Sequence, residues 1–147
     1  MAKTKSWREK MRIGEMKSEV VPLDAAKSAR FKGSTMLLPS FEDVAIAVSV
    51  VPFGTTVTMR ELQRRLAERY HADVSCPFLT GIGVWVAAHA AEEAKAAGEV
   101  NDLPWWRIIK TDRSLNPKFP GGVELHQKLL ESEGISVSQK TSVPKVL

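Results

Sequence analysis

Four stretches of the chain repeat apolar residues at helical spacing, and together they predict the core elements of one domain. The first begins at Phe41 after a capping serine, with acidic residues in its first turn. The second begins after Thr58, which forms a capping box with Glu61. The third is the Ala-rich stretch TGIGVWVAAHAAEEAKAAG, which Gly98 ends, and the last runs over about residues 123–133. The pattern predicts a mostly helical domain.

The third helix is predicted to be central, and a strand-like segment follows it. Residues 105–110 predict a strand, TDRS a turn and LNPKFPGG a loop. This order is typical of a winged helix-turn-helix, so the fold class predicted is mostly α with a small β wing. Successive residues of a strand face opposite sides, so Trp105 and Trp106 are predicted to have different surroundings. The buried face of the third helix is predicted to contain Ile82, Trp85, Val86, His89 and Ala90.

Composition narrows the functional classes. The 147 residues fit one domain, and 44% hydrophobic with 26% charged residues is ordinary for a globular protein. No apolar run is long enough to span a membrane and the N-terminus lacks the apolar core of a secretory signal, so a cytoplasmic protein without a membrane partner is predicted. A single cysteine, Cys76, excludes an internal disulfide. The three histidines lack metal-ligand spacing, and no metal or other cofactor is predicted.

Positive charge lies at the two ends of the chain. Residues 1–33 carry nine basic against four acidic residues, whereas 34–134 carry ten against thirteen. The division predicted is a basic N-terminal arm (1–33), a winged-helix domain (34–135) and a disordered tail (136–147). A basic arm suits a chain that grips a polyanion such as nucleic acid, and solvated basic termini are the alternative.

Four short motifs, in the same order, resemble the C-terminal domain of the O6-alkylguanine-DNA alkyltransferase family over about residues 36–135. VPFGTTVTMREL resembles Ile-Pro-x-Gly-x-Val-x-Thr-Tyr-Gly-x-Ile, and CPFLTGIGV resembles Pro-Arg-Ala-Val-Gly-x-Ala. PWWRII resembles Pro-Cys-His-Arg-Val, and FPGGVELHQKLLESEG resembles Tyr-Ser-Gly-Gly followed by Leu-Leu-x-x-Glu-Gly. The resemblance implies a domain that binds double-stranded DNA.

The departures from the family pattern bear on the chemistry. In the repair enzymes the Cys of Pro-Cys-His-Arg accepts the alkyl group, with a His and a distant Glu to activate it; those positions here hold Trp105, Trp106 and Glu133. Without a thiolate, dealkylation has no nucleophile, so no enzyme activity is expected. A Trp at the acceptor position resembles the non-enzymatic alkyltransferase-like branch, which recognises O6-alkylguanine or related lesions by base flipping and signals DNA repair. A repair protein is therefore a possible partner.

The resemblance carries over two sets of site residues. The family Tyr that helps to rotate the target nucleotide corresponds to Met59, and the Arg that fills the vacated stack corresponds to Phe78. Phe78 is predicted to act as an apolar wedge, with helix-entry packing as the alternative. The full DNA-contacting set predicted is Met59, Arg60, Arg64, Phe78, Thr80, Gly81 and Gly83. The base-pocket set predicted is Trp105, Arg107, Phe119, Gly121, Gly122 and Glu133.

Several alternatives stay open. Trp105 with Phe119 is predicted to sandwich an extruded base and Trp106 to lie in the core, but plain core packing of Trp105 fits the sequence too. Gly81 and Gly83 fit either a close approach of backbone to DNA or tight helix packing. Loss of the family Tyr and Arg favours the alternative function, an interaction or regulatory module that keeps the fold without lesion binding. Residual activity through Cys76 is a third alternative.

Overall fold

The computed structural model describes residues 5–12, 17–140 and 142–147. Over these residues it is mostly helical with small sheets, which confirms the predicted fold class. The helices are α1 (Trp7–Arg12), α2 (Ala25–Phe31), α3 (Phe41–Ser49), α4 (Met59–Arg69), α5 (Pro77–Ala96) and α6 (Gly122–Ser132), with a single-turn 3-10 helix at Trp105–Arg107. The strands are β1 (Glu19–Pro22), β2 (Thr35–Leu38), β3 (Val57–Thr58), β4 (Val74–Ser75), β5 (Ile108–Ile109), β6 (Val137–Ser138) and β7 (Lys145–Val146).

Side-chain caps fix the starts of α3 and α4. The Ser40 hydroxyl accepts the backbone N–H of Asp43 at 3.1 Å, and the Thr58 hydroxyl accepts that of Glu61 at 3.2 Å. Each bond satisfies a donor that the first helical turn leaves free. Both starts lie where the sequence predicts them.

Helix α5 packs against both α3 and α4 and forms the centre of the domain. Its fully buried residues include Val84 and Ala88, which join Val44, Val48 and Leu62 in the main core. The predicted buried face is correct for Val86 and Ala90. It is wrong for Ile82, Trp85 and His89, which are only half-buried because they lie on a different side of the helix.

Two small sheets hold the helix-turn-helix in place. Strand β2 pairs antiparallel with β1 and parallel with β4, so the segment that enters α5 hydrogen-bonds to the N-terminal part of the chain. Strand β3, which enters α4, pairs parallel with β5. The starts of both helices are therefore anchored by backbone pairing.

The N-terminal segment packs on the domain through α1. The Glu93 carboxylate, on α5, accepts the backbone N–H groups of Trp7 at 3.1 Å and Arg8 at 3.3 Å. The Trp7 ring stacks on His89 with centroids 4.3 Å apart and meets Trp85 edge to face at 4.7 Å. A carboxylate at a helix N-terminus satisfies free N–H groups and complements the helix dipole. Trp7 therefore covers the side of α5 that the core leaves half-buried.

The C-terminal segment, predicted to be a disordered tail, pairs its ends in the structure. Strands β6 and β7 are antiparallel, and the backbone N–H of Leu115 donates to the carbonyl of Pro144 at 2.9 Å. Val146 is 6% exposed and packs with Ile109 and Leu130. Burial of the apolar Val146 side chain favours an ordered conformation of this segment. The division of the chain at residues 33 and 135 stays a prediction.

Two kinds of feature are absent from the described residues. Within them, no helix has both the length and the apolar character that crossing a membrane requires. The same part of the chain holds no group of three His, Cys, Asp or Glu side chains placed to bind a metal ion.

Candidate nucleic-acid interface

The first turn of α5 presents one large aromatic side chain to solvent. Phe78 is 72% exposed, directly after the Pro77 that begins the helix. Thr80 is fully buried, and its hydroxyl donates to the carbonyl of Cys76 at 2.7 Å and lies 3.0 Å from the Ser75 hydroxyl. The side chain of Thr80 is thus committed inside the protein, which corrects its prediction as a DNA contact. The side chain of Phe78 is accessible, as a wedge requires. It does not pack on the core at the entry to the helix, which was the alternative.

The two glycines of α5 have different surroundings. A Cβ placed on Gly81 would meet nothing within 4 Å, whereas one on Gly83 would lie 2.9 Å from a methyl carbon of Val44. Gly83 is therefore explained by the close contact of α5 with α3, which corrects its prediction as a DNA contact. Gly81 faces open space, and a backbone or phosphate can approach it there.

Helix α4 carries the predicted basic contacts. Met59 is half-buried against the core, and Arg60 is exposed without an ion-pair partner in the described part of the chain. Arg64 is held by two carboxylates, Glu61 and Glu68, each with an N to O distance of 2.7 Å. The hydrogen bonds from Arg64 lower the pKa of Glu61 to about 2, despite some desolvation. Arg60 is thus the free cation of this predicted pair, and Arg64 is already neutralised.

Trp105 and Phe119 lie together in the core. They are 1% and 3% exposed, and their rings meet edge to face with centroids 5.7 Å apart and an angle of 82° between planes. A sandwiched base needs two parallel ring faces, and this arrangement has none. The Trp105 indole N–H donates to the Glu92 carboxylate at 3.0 Å. Trp105 and Phe119 therefore do not line an open pocket in this arrangement, contrary to the expectation. Trp105 packs in the core, as the alternative interpretation predicts.

Trp106 takes a more exposed position than predicted, because the chain forms a 3-10 turn there and not a strand. Its indole N–H donates to the Glu133 carboxylate at 2.7 Å. The same carboxylate receives Arg107 at 2.9 Å and the backbone N–H of Gly54 at 2.9 Å. Burial raises the pKa of Glu133, but these hydrogen bonds outweigh it and the net pKa is lowered. Arg107 and Glu133 therefore form a buried tie between the 3-10 turn and the end of α6.

Gly121 and Gly122 shape the turn into α6. Both have a positive φ, +74° and +69°, a region that residues with a side chain rarely adopt. A Cβ on Gly121 would also lie 2.5 Å from that of Leu125. Backbone geometry alone requires these glycines, so their predicted place in a base pocket stays a prediction.

Two features near the predicted pocket were not found from the sequence. His126 is fully buried beside Trp105 and Phe119, with its Nε2 2.7 Å from the carbonyl of Trp106. Burial lowers its pKa to about 4, so it is neutral at pH 7. Phe53, 70% exposed, lies 5.7 Å from the Arg107 guanidinium. The apolar spacing of the last helix places His126 on one of its faces. Only the fold shows that the His126 ring lies beside Trp105 and Phe119.

Comparison with known protein families shows the family to which the chain belongs. The family model of the 6-O-methylguanine DNA methyltransferase DNA-binding domain matches residues 39–135. This chain belongs to that family. Among curated proteins, none matches the chain.

Two solved structures of alkyltransferase-like proteins from S. pombe are similar to this family member. One is Atl1 in complex with damaged DNA containing O6-carboxymethylguanine, with 20% sequence identity, a TM-score of 0.46, and coverage of 73% of this chain and 86% of that chain. The other is ATL in complex with DNA, with 19% identity, a TM-score of 0.45 and the same coverage.

Membership of the methyltransferase family confirms the resemblance predicted from the four motifs. The matched range, 39–135, includes every residue predicted to contact DNA or a base. Strands β1 and β2 and helix α1 lie outside it, although Leu37 of β2 is fully buried in the main core. The folded unit of this methyltransferase-family chain therefore extends beyond the family segment.

Proposed function

We propose that this protein is a non-enzymatic, DNA-binding member of the alkyltransferase-like kind, which recognises O6-alkylguanine or a related lesion and signals repair without alkyl transfer. One observation carries the proposal: the positions that resemble the acceptor Cys and its His partner hold two tryptophans, Trp105 and Trp106. Both indole N–H groups are hydrogen-bonded to carboxylates, Trp105 to Glu92 and Trp106 to Glu133. An indole whose N–H is bound in this way offers neither a thiolate nor a base to generate one.

The remaining cysteine supports the same conclusion. Cys76 is the single cysteine of the chain and lies at the N-cap of α5, in a different element from Trp105. Its thiol makes no hydrogen bond or ion pair with the described residues. An alkyl group delivered to the Trp105 position would find no nucleophile.

The DNA-facing surface proposed is the exposed side of α4 and the first turns of α5. Arg60 supplies a free cation for a phosphate, and Gly81 leaves room for close approach of the DNA backbone. Phe78 projects from the start of α5, as an apolar wedge between base steps requires.

Recognition of the lesion requires a change at Trp105. Because Trp105 and Phe119 close against each other, an extruded base enters only if one ring moves. Stacking of a base on an aromatic ring supplies about 1–3 kcal/mol, and extrusion of a base costs a few kcal/mol. Lesion selectivity is therefore proposed to depend on displacement of Trp105.

The test compares one fluorescent duplex with and without a single O6-methylguanine, by anisotropy at several salt concentrations. Tighter, salt-sensitive binding of the lesion duplex, with no added methyl mass on the protein, is the expected result. Phe78→Ala should weaken binding of the lesion duplex about tenfold, whereas Val100→Ala, at an exposed apolar residue outside the proposed DNA face, is the control. Equal affinity for both duplexes would remove the lesion claim, and methyl transfer to any residue would refute the non-enzymatic one.

A second candidate is an interaction module that keeps this fold without DNA binding. The neutralised Arg64 and the closed ring pair at Trp105 favour it. Absence of binding to both duplexes at low salt would select this candidate over the first.

A further inference from the structure

A groove of about 710 Å³ runs along the C-terminal half of α5, between that helix and α3. Buried alanines of α5 line it at spacings of three and four residues, which places them on one helix face. They are Ala87, Ala90, Ala91 and Ala94. These alanines are between 2% and 8% exposed, so they form the floor of the groove, and most of the apolar surface that a partner can contact lies at its edges.

The edges of the groove are apolar and open to solvent. Ile46 of α3 lines one side and is 39% exposed, and Val100 lines the opposite side and is 95% exposed. Leu103 and Met11 complete the apolar lining. An apolar groove between helices, with exposed aliphatic side chains at its edges, is a common binding site for an amphipathic helix.

The charged side chains that line the groove are mostly acidic. Glu42, Glu99 and Asp102 lie there against a single cation, Arg8. Arg8 is already paired with Glu99 at 2.7 Å. Within the described residues Glu42 and Asp102 have no ion-pair partner. In a chain of net charge +4 this is a locally negative site, which repels a polyanion and attracts a cationic partner.

From this combination we propose that the groove binds a basic amphipathic helix of a partner protein, with its apolar stripe between Ile46 and Val100, above the alanine floor, and its Lys or Arg side chains on Glu42 and Asp102. The site is separate from the proposed DNA face. Thirteen residues separate Phe78 from Ala91, which is about 20 Å along a helix at 1.5 Å per residue. Both surfaces are therefore accessible at the same time, and the inference does not depend on lesion binding.

The test is an NMR titration of the full-length, 15N-labelled protein with two synthetic helical peptides. Both carry the same leucine stripe; one has lysines along its flanks and the other has glutamates. The lysine peptide should shift the amide signals of Ala87, Ala91 and Val100 and saturate, with at least tenfold tighter binding than the glutamate peptide.

Charge reversal on the groove provides the matched variant. Glu42→Lys with Asp102→Lys should weaken binding of the lysine peptide at least tenfold, and both positions are exposed, so neither substitution alters the core. Glu124→Lys with Glu131→Lys, at exposed positions of α6, changes the net charge equally and should leave binding unchanged. If the two double variants weakened binding equally, the attraction would be explained by net charge alone, and the proposal would be overturned.

Two other outcomes would also overturn it. Equal affinity for the two peptides, or shifts confined to the start of α5, would mean that the groove does not select a basic helix. Groove signals that broaden with protein concentration and recover in the Ile46→Lys variant would assign the groove to a second copy of this chain.

Discussion

Substitution of Gly83 by alanine tests the packing of α5 against α3, the contact on which the helix-turn-helix depends. The new Cβ would lie 2.9, 3.0 and 3.1 Å from three side-chain carbons of Val44. Val44 is fully buried, and a β-branched residue in a helix has one strongly preferred rotamer, so it has little freedom to move away. Overpacking of this kind costs about 1–3 kcal/mol.

Gly81→Ala is the internal control, two residues earlier in the same helix. Its Cβ meets nothing within 4 Å. Both substitutions gain the same helix propensity of about 1 kcal/mol, so the difference between the two free energies of unfolding isolates the clash. We expect Gly81→Ala to stabilise the protein and Gly83→Ala to be about 1–3 kcal/mol less stable than it.

The measurement is urea unfolding followed by far-UV circular dichroism, for the wild type, both variants and the double variant of Gly83→Ala with Val44→Ala. The shorter side chain at position 44 should recover about 1 kcal/mol of coupling energy, because it removes the Cγ1 and Cγ2 contacts and leaves only the Cβ contact at 3.0 Å. Equal stability of the two glycine variants, or additive costs in the double variant, would refute the reasoning.

The other predictions concern the buried polar groups and α1. Glu133→Gln leaves the Arg107 guanidinium without its counter-charge and should destabilise by about 3 kcal/mol in thermal unfolding, while Glu131→Gln, at an exposed neighbour, should have little effect. His126 has a folded pKa of about 4 against an ordinary 6.5, so the unfolded chain binds the extra proton first and stability should fall as pH drops from about 6.5 to 4. His126→Leu should flatten that dependence, and a slope unchanged in this variant would exclude His126 as its source. Trp7→Ala should speed amide exchange in α1 by removing its stacking on His89, and unchanged exchange would refute the docking of α1 on α5.

Local signals predicted the helical part of the fold. Capping residues mark the starts of α3 and α4, and Gly134, with φ of +81°, follows the end of α6. The four family motifs predicted the family that the comparison confirms. These features depend on residues close together in sequence, which is why the chain alone revealed them.

The predicted environments of Trp105 and Trp106 are the reverse of the observed ones, because each environment depends on the 3-10 turn and on partners distant in sequence. A strand would place Trp105 and Trp106 on opposite sides, but the 3-10 turn places Trp105 against Phe119 and aims Trp106 at Glu133. Glu133 is 27 residues away, and no spacing rule connects the two; in the sequence only the family resemblance joins them, because it aligns them with the His and Glu of the repair enzymes. The packing of α1 on α5 rests likewise on a pair, Trp7 and Glu93, that are 86 residues apart.

The burial of Leu37 has a practical consequence for expression of the protein. Leu37 and Val146 are core side chains that lie on either side of the segment 39–135. A fragment cut at those family limits would lose both, and it would also lose Trp7, which shields Trp85 and His89. Such a fragment would expose apolar surface and would precipitate more readily than the whole chain. DNA-binding experiments are therefore best performed with both ends of the chain retained.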